Sequence, residues 1–84
     1  MEDYNVVIAT SARRELDENV PFPWKRQLNH RVVALKRNPR PRFSVHDQET
    51  GFYAIAAGDW TVEYAVDDAK KTVSVLRFVK VFYD

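Results

Sequence analysis

Seven cations stand between residues 25 and 42 (Lys25, Arg26, Arg31, Lys36, Arg37, Arg40 and Arg42), with no Asp or Glu among them. Such a run suits one kind of chemistry: guanidinium and ammonium groups take phosphate oxygens, and a block of them holds a nucleic-acid backbone without reading its sequence. Arg26, Arg37, Arg40 and Arg42 are the candidate phosphate contacts. The same run also serves as the solvated face of a helix, and composition leaves both readings open. Residues 43 to 69 then hold six anions (Asp47, Glu49, Asp59, Glu63, Asp67 and Asp68) and no Lys or Arg. The net charge of +1 conceals a basic segment followed by an acidic one.

The acidic segment contains a second candidate. The stretch "GFYAIAAGDWTVEYAVDD" reads as two strands joined at Gly58-Asp59, where glycine supplies the positive φ that a two-residue turn requires. Pairing across that turn opposes Ala57 with Trp60, Ile55 with Val62, and Tyr53 with Tyr64, six apolar or aromatic residues on one face. Alternation puts Ala54, Ala56, Thr61, Ala65 and Glu63 on the other, where long polar side chains are normal for an open sheet surface. A shallow face of small residues around one carboxylate is either a seat for a ligand or partner segment, or a sparse solvent face. The last strand, "KTVSVLRFVK", would point Arg77 into the core with Val73 and Val75 if it ran without a break. A bulge between Val75 and Leu76 resolves this: Leu76 and Phe78 join the core, and Arg77 emerges beside Glu63.

The elements that must position these groups follow from periodicity. Residues 4 to 9 alternate as a first strand. Ser11 is placed to cap a short helix running to about Glu18, and "NVPFP" interrupts it. Pro23 suits the first position of a second helix, in which Trp24, Leu28, Val32 and Leu35 form one apolar stripe. That helix is expected to stop by Arg37, before "NPRPR". A polar loop, "HDQETG", leads into the hairpin. The fold class is therefore α+β: an N-terminal strand, a two-helix hairpin, then a three-stranded antiparallel meander, with the helices packed on one face of the sheet.

An 84-residue chain makes one domain, residues 1–84. The absence of cysteine excludes a disulfide framework and Cys-based zinc or redox sites, and no cofactor or metal is expected. No stretch approaches the roughly 20 apolar residues of a membrane span, and the acidic start "MEDYNVV" is unlike a signal peptide, so the expected compartment is a reducing cytoplasm.

In order, "YNVVIATSARRELD", "VVALKRNPRP" and "GFYAIAAGDWTVEYAVDDAKKTVSVLRF" resemble the RelE/ParE superfamily of type II toxins over nearly the whole chain. The most specific pieces are Ser11-Ala12-Arg13-Arg14-Glu15-Leu16, Asn38-Pro39-Arg40-Pro41, and Gly58-Asp59-Trp60 followed by Val62, Tyr64 and Asp67-Asp68. The resemblance implies a toxin neutralised by a partner antitoxin that drapes a segment over it. RelE-like members cleave mRNA in the ribosomal decoding site; ParE-like members poison DNA gyrase and usually have longer helices. The short first helix, closed by Val20-Pro21, is similar to the RelE side.

The same resemblance locates a site and shows where this chain departs from it. RelE-like toxins commonly carry arginines at the positions of Ala54, Ala56 and Thr61, basic residues at those of Ser44 and His46, and a further arginine at that of Val81. Those cations would hold the scissile phosphate during in-line attack of the 2′-hydroxyl. The residues retained nearby are His46, Arg77, Lys80 and Tyr83. His46 is a general base or a solvated loop histidine; Lys80 is a phosphate contact or a strand end. Tyr83 is a base-stacking ring or a packing residue, and Glu63 is a base or the salt-bridge partner of Arg77. The expected protein is a ribosome-dependent mRNA endonuclease with a weakened site. The alternatives are a non-catalytic binding module on the same fold and a gyrase inhibitor.

Overall fold

The computed structural model describes residues 3–80. Tyr83 and Val81 lie outside the described residues. The chain runs β1 (Asn5–Ile8), α1 (Thr10–Asn19), α2 (Phe22–Ala34), β2 (Val45–His46), β3 (Tyr53–Ala57), β4 (Trp60–Asp67) and β5 (Thr72–Lys80). Five strands form one sheet in the order β1-β5-β4-β3-β2, with β1 parallel to β5 and the other pairs antiparallel.

β1 leads into α1 with almost no connection. The Ala9 N–H still donates to the Val75 carbonyl (3.0 Å), while the Ala9 carbonyl already accepts from Arg13 N–H (2.9 Å). Ala9 is therefore the N-cap, and Ser11, expected there, falls inside the first turn with no side-chain cap bond. Val20 adopts an extended conformation that ends α1 ahead of Pro21. α2 starts at Phe22, one residue earlier than the sequence suggests, with Pro23 in its first turn, where a missing N–H costs nothing. It ends at Ala34, and residues 35–37 form a turn.

α2 buries Leu28 and Val32, with Leu35 just beyond its end, against Ile55, Ala57, Trp60, Val62 and Tyr64; α1 adds Ala12 and Leu16 beside Val73, Val75 and Phe78. Each such aliphatic side chain contributes about 1.5–3 kcal/mol by leaving water. Trp24 is only half-buried because its ring lies over the hairpin turn. Gly58 has φ +62°, and a Cβ there would clash with the Trp24 ring at Cζ3. Tyr64 is fully buried, and its hydroxyl donates to the Pro39 carbonyl (2.8 Å), which anchors the Asn38–Arg42 loop to the sheet.

The β3–β4 register is Tyr53↔Tyr64, Ala54↔Glu63, Ile55↔Val62, Ala56↔Thr61 and Ala57↔Trp60, as the sequence predicts. The bulge is present as well: Glu63 pairs Arg77 and Tyr64 pairs Val75, so Leu76 is the extra residue. Leu76 does not join the core, in contrast to Phe78. As the residue without an opposite number, it stays half-buried near Ser11, Ala12 and Glu15. The "HDQETG" segment is also more ordered than a loop. Val45 and His46 pair Ala54 and Tyr53, and Asp47 Oδ1 accepts from the Glu49 N–H (2.9 Å) inside the turn, so this is a second hairpin.

Candidate functional site

Pairing places Val45, Ala54, Ala56, Thr61, Glu63, Ala65, Ser74, Arg77, Val79 and Val7 on the sheet face opposite the helices. Small side chains keep this surface shallow, and Val7, Val45 and Val79 are exposed on it. The bulge is what brings Arg77 here; without it the parity of β5 would send the guanidinium toward the helices. Its Nε then meets Glu63 Oε2 at 2.9 Å, with the two side chains 65% and 35% exposed. Beside the pair is a depression of about 390 Å³ lined by Val45, Asp47, Phe52, Ala54, Glu63 and Arg77 among others. Asp47 and Glu63 against Arg77 give that lining a charge of −1. Arg77 is the only cation among the described strand residues that the register assigns to this face.

The other candidates are placed elsewhere. His46 is the register partner of Tyr53 and stacks on its ring (centroids 4.5 Å), continuing a ladder to Tyr64 (5.7 Å). It therefore sits on the helix-side parity, with the sheet between it and Arg77. Lys80 pairs Trp60, which is also the helix-side parity. The expected quartet of His46, Arg77, Lys80 and Tyr83 is thus not assembled by the described residues. The switch of parity that frees Arg77 is the same one that turns Lys80 away.

Arg40 is also committed. Its guanidinium donates to Asp68 through both terminal nitrogens (3.0 and 2.7 Å) and to the Tyr53 hydroxyl through Nε (2.9 Å), while lying 5.3 Å from the Tyr53 ring centroid. The Tyr4 hydroxyl donates to the same Asp68 carboxylate (2.5 Å). These donors, Arg40 first, hold the Asp68 carboxyl down at about 2, and the pairing raises Arg40 further above its ordinary range. Arg40 therefore acts as a clasp joining the Asn38–Arg42 loop, β3 and the β4–β5 turn, rather than as a free phosphate contact. Arg26, Arg37 and Arg42 are exposed on the helix layer and the loop after it. Sequence reasoning missed Asp68, Tyr53 and Tyr4 as partners. Their signal was the presence of both Asn38-Pro39-Arg40-Pro41 and Asp67-Asp68 among the pieces that carry the resemblance, whose meeting in space depends on the sheet topology.

A charge-poor face with one paired arginine can hold a phosphate only weakly. Among the described residues no group of His, Asp and Glu is arranged to bind a metal ion, and no helix is long and apolar enough to cross a membrane.

No protein-family model matches the chain, and no curated protein sequence matches it. Solved structures do. A chain of the toxin–antitoxin complex RelBE2 of Mycobacterium tuberculosis is 26% identical, with 95% of this chain and 93% of that chain covered and a TM-score of 0.77. The isolated RelE toxin of E. coli superposes with a TM-score of 0.83 at 20% identity, covering 96% of this chain and 87% of that one. The archaeal RelE–RelB complex of Pyrococcus horikoshii gives 0.77 at 22% identity, covering 92% and 93%.

Proposed function

We propose that this chain, which has the fold of RelE toxins and stands on the RelE-like side of the RelE/ParE superfamily, is the toxin of a type II toxin–antitoxin pair with a weakened RNA-cleaving site. Its partners are a cognate antitoxin and, to the extent that it is active, the ribosome and its mRNA; the compartment is the cytoplasm. The observation that carries the toxin reading is the likeness along nearly the whole length of chains taken from RelBE complexes.

The chemistry follows from what the open face retains. In RNA cleavage by in-line attack, the 2′-oxygen bonds to phosphorus as the P–O5′ bond breaks. The 2′-hydroxyl loses a proton, the 5′-oxygen gains one, and a 2′,3′-cyclic phosphate remains. Charge accumulates on the phosphoryl oxygens, and fixed cations are worth most there; losing one such donor typically costs about 10²–10³ in rate. Here Arg77 is the group that would meet those oxygens. It is shared with Glu63, and Asp47 adds charge of the wrong sign. That net charge of −1 also supports the second reading, a non-catalytic binding module on the same fold.

Expression without the partner, together with cleavage of mRNA on purified ribosomes, is the test. The expected result is mild or no growth arrest and slow or absent cleavage. The triple variant Ala54→Arg, Ala56→Arg, Thr61→Arg should raise the cleavage rate by roughly tenfold or more. Fast, codon-position-specific cleavage by the unmodified chain would falsify the weakened site. If neither protein acts on ribosomes while a cognate antitoxin still binds the chain, the module reading replaces the nuclease.

A further inference from the structure

The loop after α2 is pinned at several points. The Tyr64 hydroxyl donates to the Pro39 carbonyl, and Arg40 is clasped to Asp68 and Tyr53. Ser44 then returns to the Pro41 carbonyl through both its N–H (2.9 Å) and its hydroxyl (2.8 Å). Between Pro41 and Ser44 this fixed turn presents Phe43, which is 72% exposed. A single exposed phenylalanine is ordinary on a protein surface. This one walls an apolar cavity of about 210 Å³, closed on its other sides by Ala34, Leu35, Pro41 and Ile55.

The cavity is smaller than the roughly 300–1,000 Å³ of pockets that enclose a whole ligand, so it admits one ring and leaves the rest of its occupant outside. Its polar side chains are Arg31 and Asn38. Asn38 Oδ1 accepts from the Arg40 N–H (3.2 Å), which fixes the amide so that its Nδ2 hydrogens are what it offers. Arg31 and Ala34 also line an open cleft along α2, together with Arg26 and His30. That cleft has no Asp or Glu in its lining, and no residue from 25 to 42 is acidic. Arg26 and Arg31 stand about 7.5 Å apart along the helix axis. An occupant matched to this surface has one flat ring, an acceptor on the edge of that ring, and repeated negative charge beyond it.

From these features we infer that the cavity under Phe43 takes an unpaired base of single-stranded RNA, its ring against Phe43, Leu35 and Ile55. The phosphate of that nucleotide falls to Arg31 and the next one to Arg26. Duplexes keep their bases paired and stacked, whereas RNA loops and single strands splay them out onto aromatic side chains. The Asn38 donor favours a keto base, guanine or uracil, over adenine or cytosine, whose exocyclic amine would face it. Ile55 belongs to the helix side of β3, so the site lies across the sheet from Glu63 and Arg77 and does not rest on the toxin reading.

The test titrates the full chain, by fluorescence anisotropy, against abasic RNA strands of about eight nucleotides that carry one central guanine, one central adenine or no base. The guanine strand should bind roughly tenfold more tightly than the wholly abasic one, a typical worth of one stacked base. Phosphate contacts on either face of the sheet cancel in that ratio. Phe43→Ala should bring the ratio close to one, and the residue is exposed enough for the fold to survive. Adenine should bind roughly two- to tenfold more weakly than guanine. That order should reverse in Asn38→Asp, which still accepts from the Arg40 N–H and offers a carboxylate to the amine. Arg31→Gln should weaken all three strands and lower the slope of log affinity against log salt by about 0.7. Arg77→Gln, on the other face, should leave the guanine-to-abasic ratio unchanged. The inference is overturned if guanine and abasic strands bind alike, if the ratio survives Phe43→Ala, or if guanine stays ahead of adenine in Asn38→Asp. It is also overturned if an acidic peptide carrying one phenylalanine binds more tightly than the guanine strand, which would make the occupant a protein. No ribosome or antitoxin enters these measurements, so this proposal and the toxin reading can fail separately.

Discussion

Glu63→Gln is the sharpest perturbation of the open face, because it removes an anion while keeping a side chain of the same shape. In the parent chain a phosphate must first draw Arg77 from Glu63. For an ion pair whose side chains are 65% and 35% exposed, that costs at most about 1 kcal/mol. A phosphate on the far side of the guanidinium would then stand roughly 4–6 Å from the Glu63 carboxylate. At that range and near-water dielectric, like charges repel by about 1 kcal/mol. Removing both terms should tighten binding by about 1–2 kcal/mol, roughly five- to thirtyfold at low salt. Ionic screening should bring the gain toward the lower end at physiological salt. Fluorescence anisotropy with a short single-stranded oligoribonucleotide, titrated at low and physiological salt, measures it. Arg77→Gln should bind no better than the parent. An unchanged affinity for Glu63→Gln, or a gain that ignores salt, would show that the pair does not govern phosphate access to this face.

Gly58→Ala should destabilise the chain by about 2–3 kcal/mol, since the added Cβ meets Trp24 and the φ of +62° disfavours alanine; urea unfolding followed by tryptophan fluorescence reads both the loss and the ring's displacement. Tyr64→Phe leaves the Pro39 carbonyl without its donor and should cost about 1–2 kcal/mol. Burial pushes the Tyr64 phenol up to about 12, so ultraviolet titration should show one tyrosine ionising late, and that step should vanish in Tyr64→Phe. The Asp68 carboxyl is held at about 2 in the folded chain, below its unfolded value, so its stabilisation is present above the ordinary carboxylate range and fades as pH falls toward 2. Asp68→Asn should lower the thermal midpoint near neutral pH and flatten its dependence on acid; an identical acid profile in parent and variant would refute the clasp.

Much of the fold was legible because it is written in side-chain period. Tyr53, Ile55 and Ala57 against Trp60, Val62 and Tyr64 fix both the register and the buried face, since a slip of one residue would expose all six. The conflict of Arg77 with Val73 and Val75 sufficed to place the bulge, because a buried unpaired arginine is too costly. Less legible were features set by tertiary neighbours. Ser11 had the chemistry of a cap, but β1 stays hydrogen-bonded to β5 as far as Ala9 and the helix begins there. Val45 and His46 carry no periodicity of their own; β3 supplies their partners. The different faces taken by His46, Arg77 and Lys80 were hidden for a related reason. His46, Arg77 and Lys80 are close in any list of polar residues near these strands, and only counting parity through β2 and past Leu76 reveals the face each one takes.

That parity also explains how a chain can keep a fold while its site loses charge. The energy of folding is concentrated on one side of β3 and β4, where Ile55, Val62 and Tyr64 are almost completely buried under the helices. Ala54, Ala56 and Thr61 alternate with them along the same strands but touch none of that packing layer from the open side. Substitutions at such positions usually change stability by no more than about 0.5 kcal/mol. Arginine and alanine there are nearly equivalent for folding and far from equivalent for a phosphate. Selection for the fold therefore gives no protection to the cations. Folding and any phosphate chemistry of the open face then rest on opposite sides of one sheet, and the second can weaken without cost to the first.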